Sequence, residues 1–340
     1  MGEFTSILAD VASGRALSAE IAREAFDIMM SGGATEAQMG AFVMGLRVRG
    51  ETVEEITGGA RSMRAFARTL NAPEGAIDTC GTGGDASGTY NISTAVALVT
   101  AACGVPVAKH GNRAQSSKSG AADVLAALGV DIDAPMEVIE RCMHEAGFGF
   151  MMAPNHHSAM RFVAPVRQQL KTRTIFNLLG PLANPAGTRR QLMGVYAEKW
   201  VVPLAHVLRN LGATKGWVVH GSDGLDELTT TAPSFVAALQ DGAVETFEVT
   251  PEDAGLPRAR PQDLKGGDAA HNAAALKALL AGEAGAYRDI VLLNTAAALI
   301  IADKVETLRE GAAMAAQAID SGQAGAVLDR VAAITRETVG

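Results

Sequence analysis

The stretch "IDTCGTGGDASGTYNISTAVALVTAA", residues 77–102, indicates the fold class of this chain. A short strand at 77–80 leads into a loop, residues 80–95 hold four glycines, and a helix is predicted from about 91 to 102. Glycine is entropically costly, so the loop must need a bare backbone. At a strand–helix turn, bare N–H groups and the helix dipole form an anion site. A tight turn followed by a helix cap would give the same pattern.

Strands and helices alternate after this loop, whereas the first seventy residues show only helical periodicity. Capping boxes at "TEAQ" (35–38) and "TVEE" (52–55) begin two of the early helices. Alternation of this kind predicts a mostly parallel central sheet flanked by helices in a large α/β domain, beside a small all-helical domain. The predicted strands are 105–109, 148–153, 191–197, 216–220 and 245–249, and the helices between them are 119–129, 135–147 and 201–212.

Composition excludes several classes of protein. The chain has 340 residues, of which 48% are hydrophobic and 19% charged, so we expect a globular protein. A net charge of −8 argues against a nucleic-acid binder but allows a local basic pocket. Cys80, Cys103 and Cys142 have no metal-type spacing and are expected to be buried thiols. The N-terminus lacks a signal pattern, and the longest apolar run, 290–302, is too short to span a bilayer. We expect a cytoplasmic protein without a membrane partner.

Two further stretches also follow predicted strands. The stretch "KHGNRAQSSKSG", 109–120, carries Lys109, Arg113 and Lys118 among small polar residues, as a phosphate-bearing ligand requires. It is equally typical of a solvated loop. The stretch "HGSDGLDELTTT", 220–231, places Asp226 beside Glu227. Paired acids occur in surface turns, but they also hold Mg²⁺ together with substrate phosphates. The presence of two candidate phosphate loops favours the metal interpretation.

The segment 154–187 combines tandem histidines, arginines and a break rich in proline and glycine. His156 and His157 lack the spacing of a zinc site. Arg161 and Arg167 are predicted to lie on one helix but on different faces, and an arginine that points into a pocket can clamp a carboxylate. The break after 179 predicts a return of the chain from the helical part to the sheet.

The motifs "GTGGD…NIST", "KHGNRAQSSKSG", "NLLGPLANP" and "DGLDE" together resemble the anthranilate phosphoribosyltransferases of tryptophan biosynthesis. The resemblance extends to the late "GGD…NAAALKALLAGE" and so covers essentially the whole chain. It implies a helical domain of residues 1–72, joined by a returning segment at about 165–186, and an α/β domain of 73–164 and 187–340. It also implies a homodimer formed through the helical domain.

The resemblance assigns roles to individual residues. The acceptor, anthranilate, is expected at Gly81, Asn112 and Arg167, with Arg167 on its carboxylate. A Mg²⁺ cofactor is expected at Ser93, Asp226 and Glu227. The donor, phosphoribosyl pyrophosphate, is expected at a larger set: Gly81, Gly84, Asp85, Thr89, Asn91, Ser93, Thr94, Lys109, Asn112, Arg113, Ser116 and Ser117.

One position departs from the family pattern, which has a serine where this chain has Ala121. The phosphate hydrogen bond that the family's serine implies is therefore not expected from the side chain at this position. Because the N–H groups at the start of the helix 119–129 are expected to be free for an anion, we expect phosphate binding to survive.

The implied reaction is transfer of the phosphoribosyl group to the amine of anthranilate, with loss of pyrophosphate through an oxocarbenium-like transition state. His110 is a candidate proton acceptor, although a loop histidine without a named partner is also typical of a structural or solvated position. Two alternatives remain: an enzyme like the pyrimidine nucleoside phosphorylases, which would bind phosphate and a nucleobase, and a non-catalytic nucleic-acid-binding relative. The first has no need of the paired acids and the second would need a basic groove, so neither fits the sequence as well.

Overall fold

Four helices form the N-terminal part of the computed structural model, which describes residues 2–113 and 118–337. Both predicted capping boxes are confirmed, because Thr35 pairs with Gln38 and Thr52 pairs with Glu55 through reciprocal side-chain and main-chain hydrogen bonds. The helices are α1 (Gly2–Ala12), α2 (Ala19–Met30), α3 (Glu36–Arg49) and α4 (Val53–Ala65).

Aromatic side chains hold these helices together. The Phe26 ring lies 5.9 Å from the Phe42 ring and 5.5 Å from the Phe176 ring, both edge-on. Phe176 begins the short helix α10 (Phe176–Leu179), so the segment after residue 163 returns to the core of the N-terminal helices. The domain boundaries themselves stay a prediction.

A seven-stranded sheet of order β3-β2-β1-β4-β5-β6-β7 forms the centre of the second part. The first five strands in this order pair in parallel, and β6 and β7 are added antiparallel, which confirms the predicted mostly parallel sheet. The strands are β1 (Ile77–Gly81), β2 (Val107–Gly111), β3 (Phe148–Met152), β4 (Arg190–Gly194), β5 (Lys215–Gly221), β6 (Ser234–Gln240) and β7 (Ala243–Val249).

Helices cover both faces of this sheet. On one face α5 and α13 bury aliphatic side chains against the strands, and on the other α11 packs in a core shared with the N-terminal helices. The remaining helices are α5 (Ile92–Ala102), α6 (Ala121–Ala127), α7 (Met136–Ala146), α8 (Ala153–His156), α9 (Ala164–Leu170), α11 (Val201–Asn210), α12 (Ala269–Leu280), α13 (Ala286–Ile301), α14 (Leu308–Asp320) and α15 (Gln323–Arg336).

Three sequence-based assignments were wrong or incomplete. Strand β6 was missed, although Asp241 and Gly242, both at positive φ, form the two-residue turn that joins it to β7. Arg161 and Arg167 do not share a helix, because a short 3₁₀ helix (Ser158–Phe162) ends before α9 begins. Helix α6 is shorter than the predicted 119–129.

The three cysteines are free thiols, and Cys80 and Cys142 are buried.

Candidate active site

The site forms where the parallel strands β1 and β4 end side by side. The register pairs Gly81 with Gly194, the last residues of these two strands. A Cβ on Gly81 would lie 2.5 Å from Oδ2 of Asp226, and one on Gly194 would lie 1.5 Å from the Asp226 main-chain oxygen. The two glycines therefore leave the space in which the loop after β5 carries Asp226 across the strand ends. This is the point at which the strand order reverses and at which α/β sheets bind ligands.

We refer to residues 82–91 as the glycine loop. Asp226 faces this loop, and Glu227 faces the first turn of α5, the helix that follows it. The Gly83 N–H donates to the Asp226 carboxylate at 2.7 Å. The main chain of Ser93, in the first turn of α5, lies beside the Glu227 carboxylate and partly offsets the rise in its pKa. Lys109, on β2, donates from Nζ to the Ser93 hydroxyl at 3.2 Å and to the Thr79 carbonyl. Ser93, Lys109 and Glu227 thus meet directly after the glycine loop.

The electrostatics of this cluster favour a bound cation. Burial, together with the charge of Asp85, raises the pKa of Asp226 to about 8. Burial and the charge of Asp226 raise the pKa of Glu227 well above its usual value. Burial lowers the pKa of Lys109 despite the attraction of nearby acids. A nearby divalent cation would stabilise the ionised form of carboxylates whose pKa is raised in this way.

The donor set fits Mg²⁺ rather than a metal held by protein ligands alone. Within residues 2–113 and 118–337, no group of three or more His, Cys, Asp or Glu side chains is placed to hold a metal ion. Mg²⁺ commonly takes one or two carboxylates and completes its shell with water and substrate phosphates. Ser93, Asp226 and Glu227 are consistent with that arrangement.

A cleft of about 1190 Å³ opens beside this cluster. The glycine loop forms one wall, and α9 with the segment after it forms the opposite wall. Lys118, Lys171, Arg173 and Lys265 make the lining basic although the chain as a whole is acidic. Among the predicted site residues, those that line the cleft are Gly84, Asp85, Thr89 and Arg167.

Asn91 and Thr94 lie at the end of the glycine loop and in the first turn of α5. The Asn91 side chain donates to the Ser119 carbonyl at 3.2 Å, so it links the glycine loop to the second predicted phosphate loop. The Thr94 side chain is fully buried, and its hydroxyl has no hydrogen-bond partner within the described part of the chain. One carboxylate oxygen of Asp85 is likewise buried and has no hydrogen-bond partner within the described part of the chain.

The second loop is described only at its two ends. Asn112 accepts a hydrogen bond from the Arg113 N–H at 2.8 Å, and Arg113 forms an ion pair with Asp123 at 3.2 Å. Arg113 therefore points towards Asp123, and it is not among the residues that line the cleft. Ser116 and Ser117, both predicted donor residues, lie outside the described residues.

The expectation of free N–H groups around Ala121 was wrong. The Asp123 carboxylate accepts from the Gly120 N–H at 2.9 Å, and the Asn112 carbonyl accepts from the Ala122 N–H at 3.3 Å. A carboxylate at the start of a helix competes with any bound anion for the same donors. The start of α6 is therefore a weaker anion site than the sequence suggested.

Arg167 and Arg161 take different positions. Arg167 lines the cleft, with its guanidinium 5.8 Å from the Phe176 ring centre, and burial lowers its pKa. Arg161 is exposed and lies over the neighbouring Phe162 ring. Of these two arginines, Arg167 is the one that lines the cleft and can meet an anionic ligand there.

His110 is buried beside a second histidine. Its ring lies 5.1 Å from that of His157. Burial, and secondarily the neighbouring His157, lower the pKa of His110 to about 3. A ring with so low a pKa is a weak base, so burial weakens the case for His110 as a proton acceptor.

Sequence reasoning missed three residues that border the cleft. Arg173 lies 4.3 Å from the Tyr196 ring centre and donates to the Gly84 carbonyl. Lys265 donates to the Ser87 carbonyl, and the buried Asn272 donates to Asn91. Lys265 and Asn272 belong to the "KGGD…N" stretch, whose paired glycines after a polar segment were the available signal.

Comparison with known proteins shows the family to which this chain belongs. Family models described as "Glycosyl transferase family, a/b domain" and "Glycosyl transferase family, helical bundle domain" match residues 73–325 and 5–67. An anthranilate phosphoribosyltransferase of Paramagnetospirillum magneticum is 64% identical over 332 residues, which are 98% of this chain and 96% of the relative. The chain belongs to the anthranilate phosphoribosyltransferase family. It is therefore an enzyme of the phosphoribosyltransferase class.

Solved structures of anthranilate phosphoribosyltransferases share the fold over the whole chain. The enzyme from Thermus thermophilus is 44% identical with a TM-score of 0.92, and the match covers 97% of this chain and 99% of that chain. The enzyme from Saccharomyces cerevisiae in complex with PRPP and Mg is 26% identical with a TM-score of 0.90, over 98% and 97%. Within the described residues, none of the helices is both long and apolar enough to cross a membrane.

Proposed function

We propose that this chain transfers the 5-phosphoribosyl group from phosphoribosyl pyrophosphate to the amine of anthranilate, releasing pyrophosphate, with the help of Mg²⁺. This is the second step of tryptophan biosynthesis from chorismate. The observation that carries the proposal is the meeting of Ser93, Lys109 and Glu227 directly after a glycine loop at the carboxyl ends of the parallel strands. The membership of the family supports the choice of substrates.

The glycine loop and its surroundings bind the donor. Gly84 and Asp85 line the cleft. The glycines at 83, 84 and 88 have positive φ, a backbone conformation that would be strained for residues with a side chain. Asn91 and Thr94 lie at the start of α5, where the helix dipole favours a phosphate. Lys109 supplies a buried positive charge next to Ser93.

Ser93, Asp226 and Glu227 would hold Mg²⁺. When bound, the ion offsets the negative charge of the departing pyrophosphate. The protein contributes the two carboxylates: Asp226 accepts a hydrogen bond from the Gly83 N–H, and Glu227 lies beside the main chain of Ser93. These contacts keep the acids in place before the donor arrives, so little reorganisation is needed during the reaction.

Arg167 and Asn112 orient the acceptor. Arg167 lines the wall of the cleft opposite the glycine loop, where its guanidinium can pair with the carboxylate of anthranilate. The amine then faces the donor side, and alignment of the two substrates supplies much of the rate. The transition state resembles an oxocarbenium ion. A neutral arylamine is already nucleophilic, so a strong base is not required before attack.

The experiment that tests the function is the loss of anthranilate fluorescence. We expect consumption only when phosphoribosyl pyrophosphate, anthranilate and Mg²⁺ are all present. Each component is omitted in turn as a control, and a pyrimidine nucleoside with inorganic phosphate replaces the substrates in a parallel reaction. Phosphorolysis of the nucleoside without any loss of anthranilate would contradict the proposal, and so would the absence of both reactions.

A homodimer formed through the helical domain belongs to the same proposal. Val48, on α3, leaves 82% of its surface exposed, and Ile21, on α2, leaves 38%. Both side chains are accessible to a second copy of the chain. Light scattering coupled to gel filtration tests this, since Val48→Asp should shift the mass from dimer to monomer, and a monomeric wild type would contradict it.

The free, mostly buried thiols agree with a cytoplasmic location, which stays a prediction.

A further inference from the structure

The segment Leu264 to Asn272 runs alongside the glycine loop, and we refer to it as the tether. The Tyr90 N–H donates to the Leu264 carbonyl at 3.1 Å, and the Gly266 N–H donates to the Gly88 carbonyl at 2.9 Å. These bonds form a short antiparallel bridge between Thr89 and Lys265. A Cβ on Gly266 would lie 2.6 Å from the Thr89 carbonyl oxygen, so a glycine is needed for this close approach.

Asn272 ends the tether and is almost completely buried, with 2% of its surface exposed. Its Oδ1 accepts from the Gly267 N–H at 2.7 Å, and its Nδ2 donates to Oδ1 of Asn91 at 2.8 Å. Because a main-chain N–H can only donate, the bond from Gly267 fixes which end of the Asn272 amide faces Asn91. The Asn272 amide thus has a single orientation.

That orientation determines the orientation of Asn91. The Asn91 Oδ1 accepts from Asn272, so its Nδ2 must point the other way, where it donates to the Ser119 carbonyl at 3.2 Å. Two amides in series therefore connect Gly267 to Ser119. Ser119 lies beyond the second predicted phosphate loop, and Asn91 lies at the end of the glycine loop.

We propose that Asn272 is a positioning residue for the phosphoribosyl donor. It fixes the amide of Asn91 and thereby holds the glycine loop and the segment at Ser119 at one separation, so that both can bind the same donor molecule. The proposal rests on the proposed function for the identity of the donor. Without Asn272 the Asn91 amide can rotate, and its bond to Ser119 is no longer enforced.

The main chain of Asn91 has separate support. The Tyr287 hydroxyl donates to the Asn91 carbonyl at 3.3 Å, and the Tyr287 ring stacks on that of Tyr90 at 4.4 Å. Loss of the Asn272 amide should therefore disturb the Asn91 side chain while the loop backbone stays in place. This allows positioning to be separated from folding.

The test is calorimetric binding of phosphoribosyl pyrophosphate with Mg²⁺, combined with KM values for both substrates. Asn272→Leu keeps the branching of the side chain, adds no charge and removes the amide. We expect its donor Kd and donor KM to rise about five- to tenfold, as loss of one or two hydrogen bonds implies, with the KM for anthranilate changed less than twofold. Asn272→Ala, with a smaller side chain, decides the question should the leucine variant not fold.

The matched control is Asp268→Ala, at the N-cap of the helix that carries Asn272. Asp268 caps α12 by accepting from the His271 N–H at 2.9 Å, and it has no bond to Asn91. The control should lower the melting temperature and leave the donor Kd within twofold. In an Asn91→Ala background, Asn272→Leu should have no further effect on donor binding.

Unchanged donor binding in Asn272→Leu would overturn the proposal, and so would an equal loss in Asp268→Ala or full additivity with Asn91→Ala. Failure of the proposed function looks different. In that case the wild type does not consume anthranilate, whatever the Asn272 variants do to donor binding.

Discussion

The carboxylate of Asp226 occupies the space that a side chain on Gly81 would need, with its Oδ2 atom 2.5 Å from the Cβ position. The two residues are 145 positions apart in the chain, since 226 − 81 = 145. The position of the Asp226 carboxylate therefore depends on the absence of a side chain at residue 81.

Gly81→Ala should displace Asp226 and break its hydrogen bond from the Gly83 N–H. We expect the Mg²⁺ concentration for half-maximal activity to rise by at least tenfold, because one of the two acids leaves its position. Activity is measured against Mg²⁺ concentration. The control is Gly325→Ala, on α15, where the nearest atom to a new Cβ is 3.9 Å away. If the two variants show the same Mg²⁺ dependence, the close packing at Gly81 has no role in metal binding.

Arg167→Ala should affect the acceptor and spare the donor. A charge-assisted pair is worth on the order of 2 kcal/mol, so the KM for anthranilate should rise roughly 30-fold. The KM for phosphoribosyl pyrophosphate should change less than twofold. Arg161→Ala, at an exposed position six residues earlier, is the control and should change neither. Equal weakening of both substrates would mean that Arg167 has a structural role or serves both sites.

The sequence predicts the glycine loop, the paired acids and the alternation of strands and helices because each depends on neighbouring residues. The tether could not be predicted in this way. Asn91 and Asn272 are 181 positions apart, and nothing local to either one indicates their contact. The anion site at Ala121 was overestimated for a different, local reason: the Asp123 carboxylate, three residues after Gly120, accepts a hydrogen bond from the Gly120 N–H.

Strand β6 was missed for a different physical reason. Its sequence, "SFVAALQ", shows no polar–apolar alternation: the successive residues Val236 and Ala237 are both buried, and two of its residues are small alanines. Small residues carry little strand propensity. The turn at Asp241 and Gly242 was the stronger signal, since both residues take the positive φ that a two-residue hairpin needs.

Asn294 is expected to stabilise the loop that carries the acids. This fully buried side chain accepts from the Leu228 N–H at 3.0 Å and donates to the Leu228 carbonyl at 2.8 Å. Asn294→Leu leaves both groups unpaired, which should lower the free energy of unfolding by about 2–4 kcal/mol in urea titrations. The adjacent Thr295→Val is the control, because the Thr295 hydroxyl has no partner in the described part of the chain. Equal stabilities of the two variants would refute this role.

The buried histidines should make the fold sensitive to acid. In the unfolded chain His157 takes up a proton near pH 6.5, whereas burial in the fold lowers its pKa to about 4. The unfolded state therefore binds more protons in this range. The stability that His157 contributes is present above pH 6.5 and is lost as the pH falls towards 4, by at most about 3 kcal/mol.

His157→Gln should flatten this dependence. The free energy of unfolding is measured at several pH values between 7 and 4 for the wild type, for His157→Gln and for His144→Gln, which changes an exposed histidine on α7. We expect a smaller loss in His157→Gln and a wild-type loss in the control. A His157→Gln curve parallel to that of the wild type would show that other groups cause the acid sensitivity.

The double variant Asp226→Asn, Glu227→Gln tests most directly the claim that the acidic pair holds Mg²⁺ for phosphoribosyl transfer, because it removes the two charges and keeps the shape of the side chains. Rates of anthranilate consumption with phosphoribosyl pyrophosphate are measured against Mg²⁺ concentration for the wild type and this double variant, with the melting temperature of each. We predict saturable Mg²⁺-dependent activity in the wild type. In the variant we predict the loss of most turnover with no fall in the metal-free melting temperature, since burial already disfavours the two charges. A variant that keeps the wild-type activity and Mg²⁺ dependence would contradict the account.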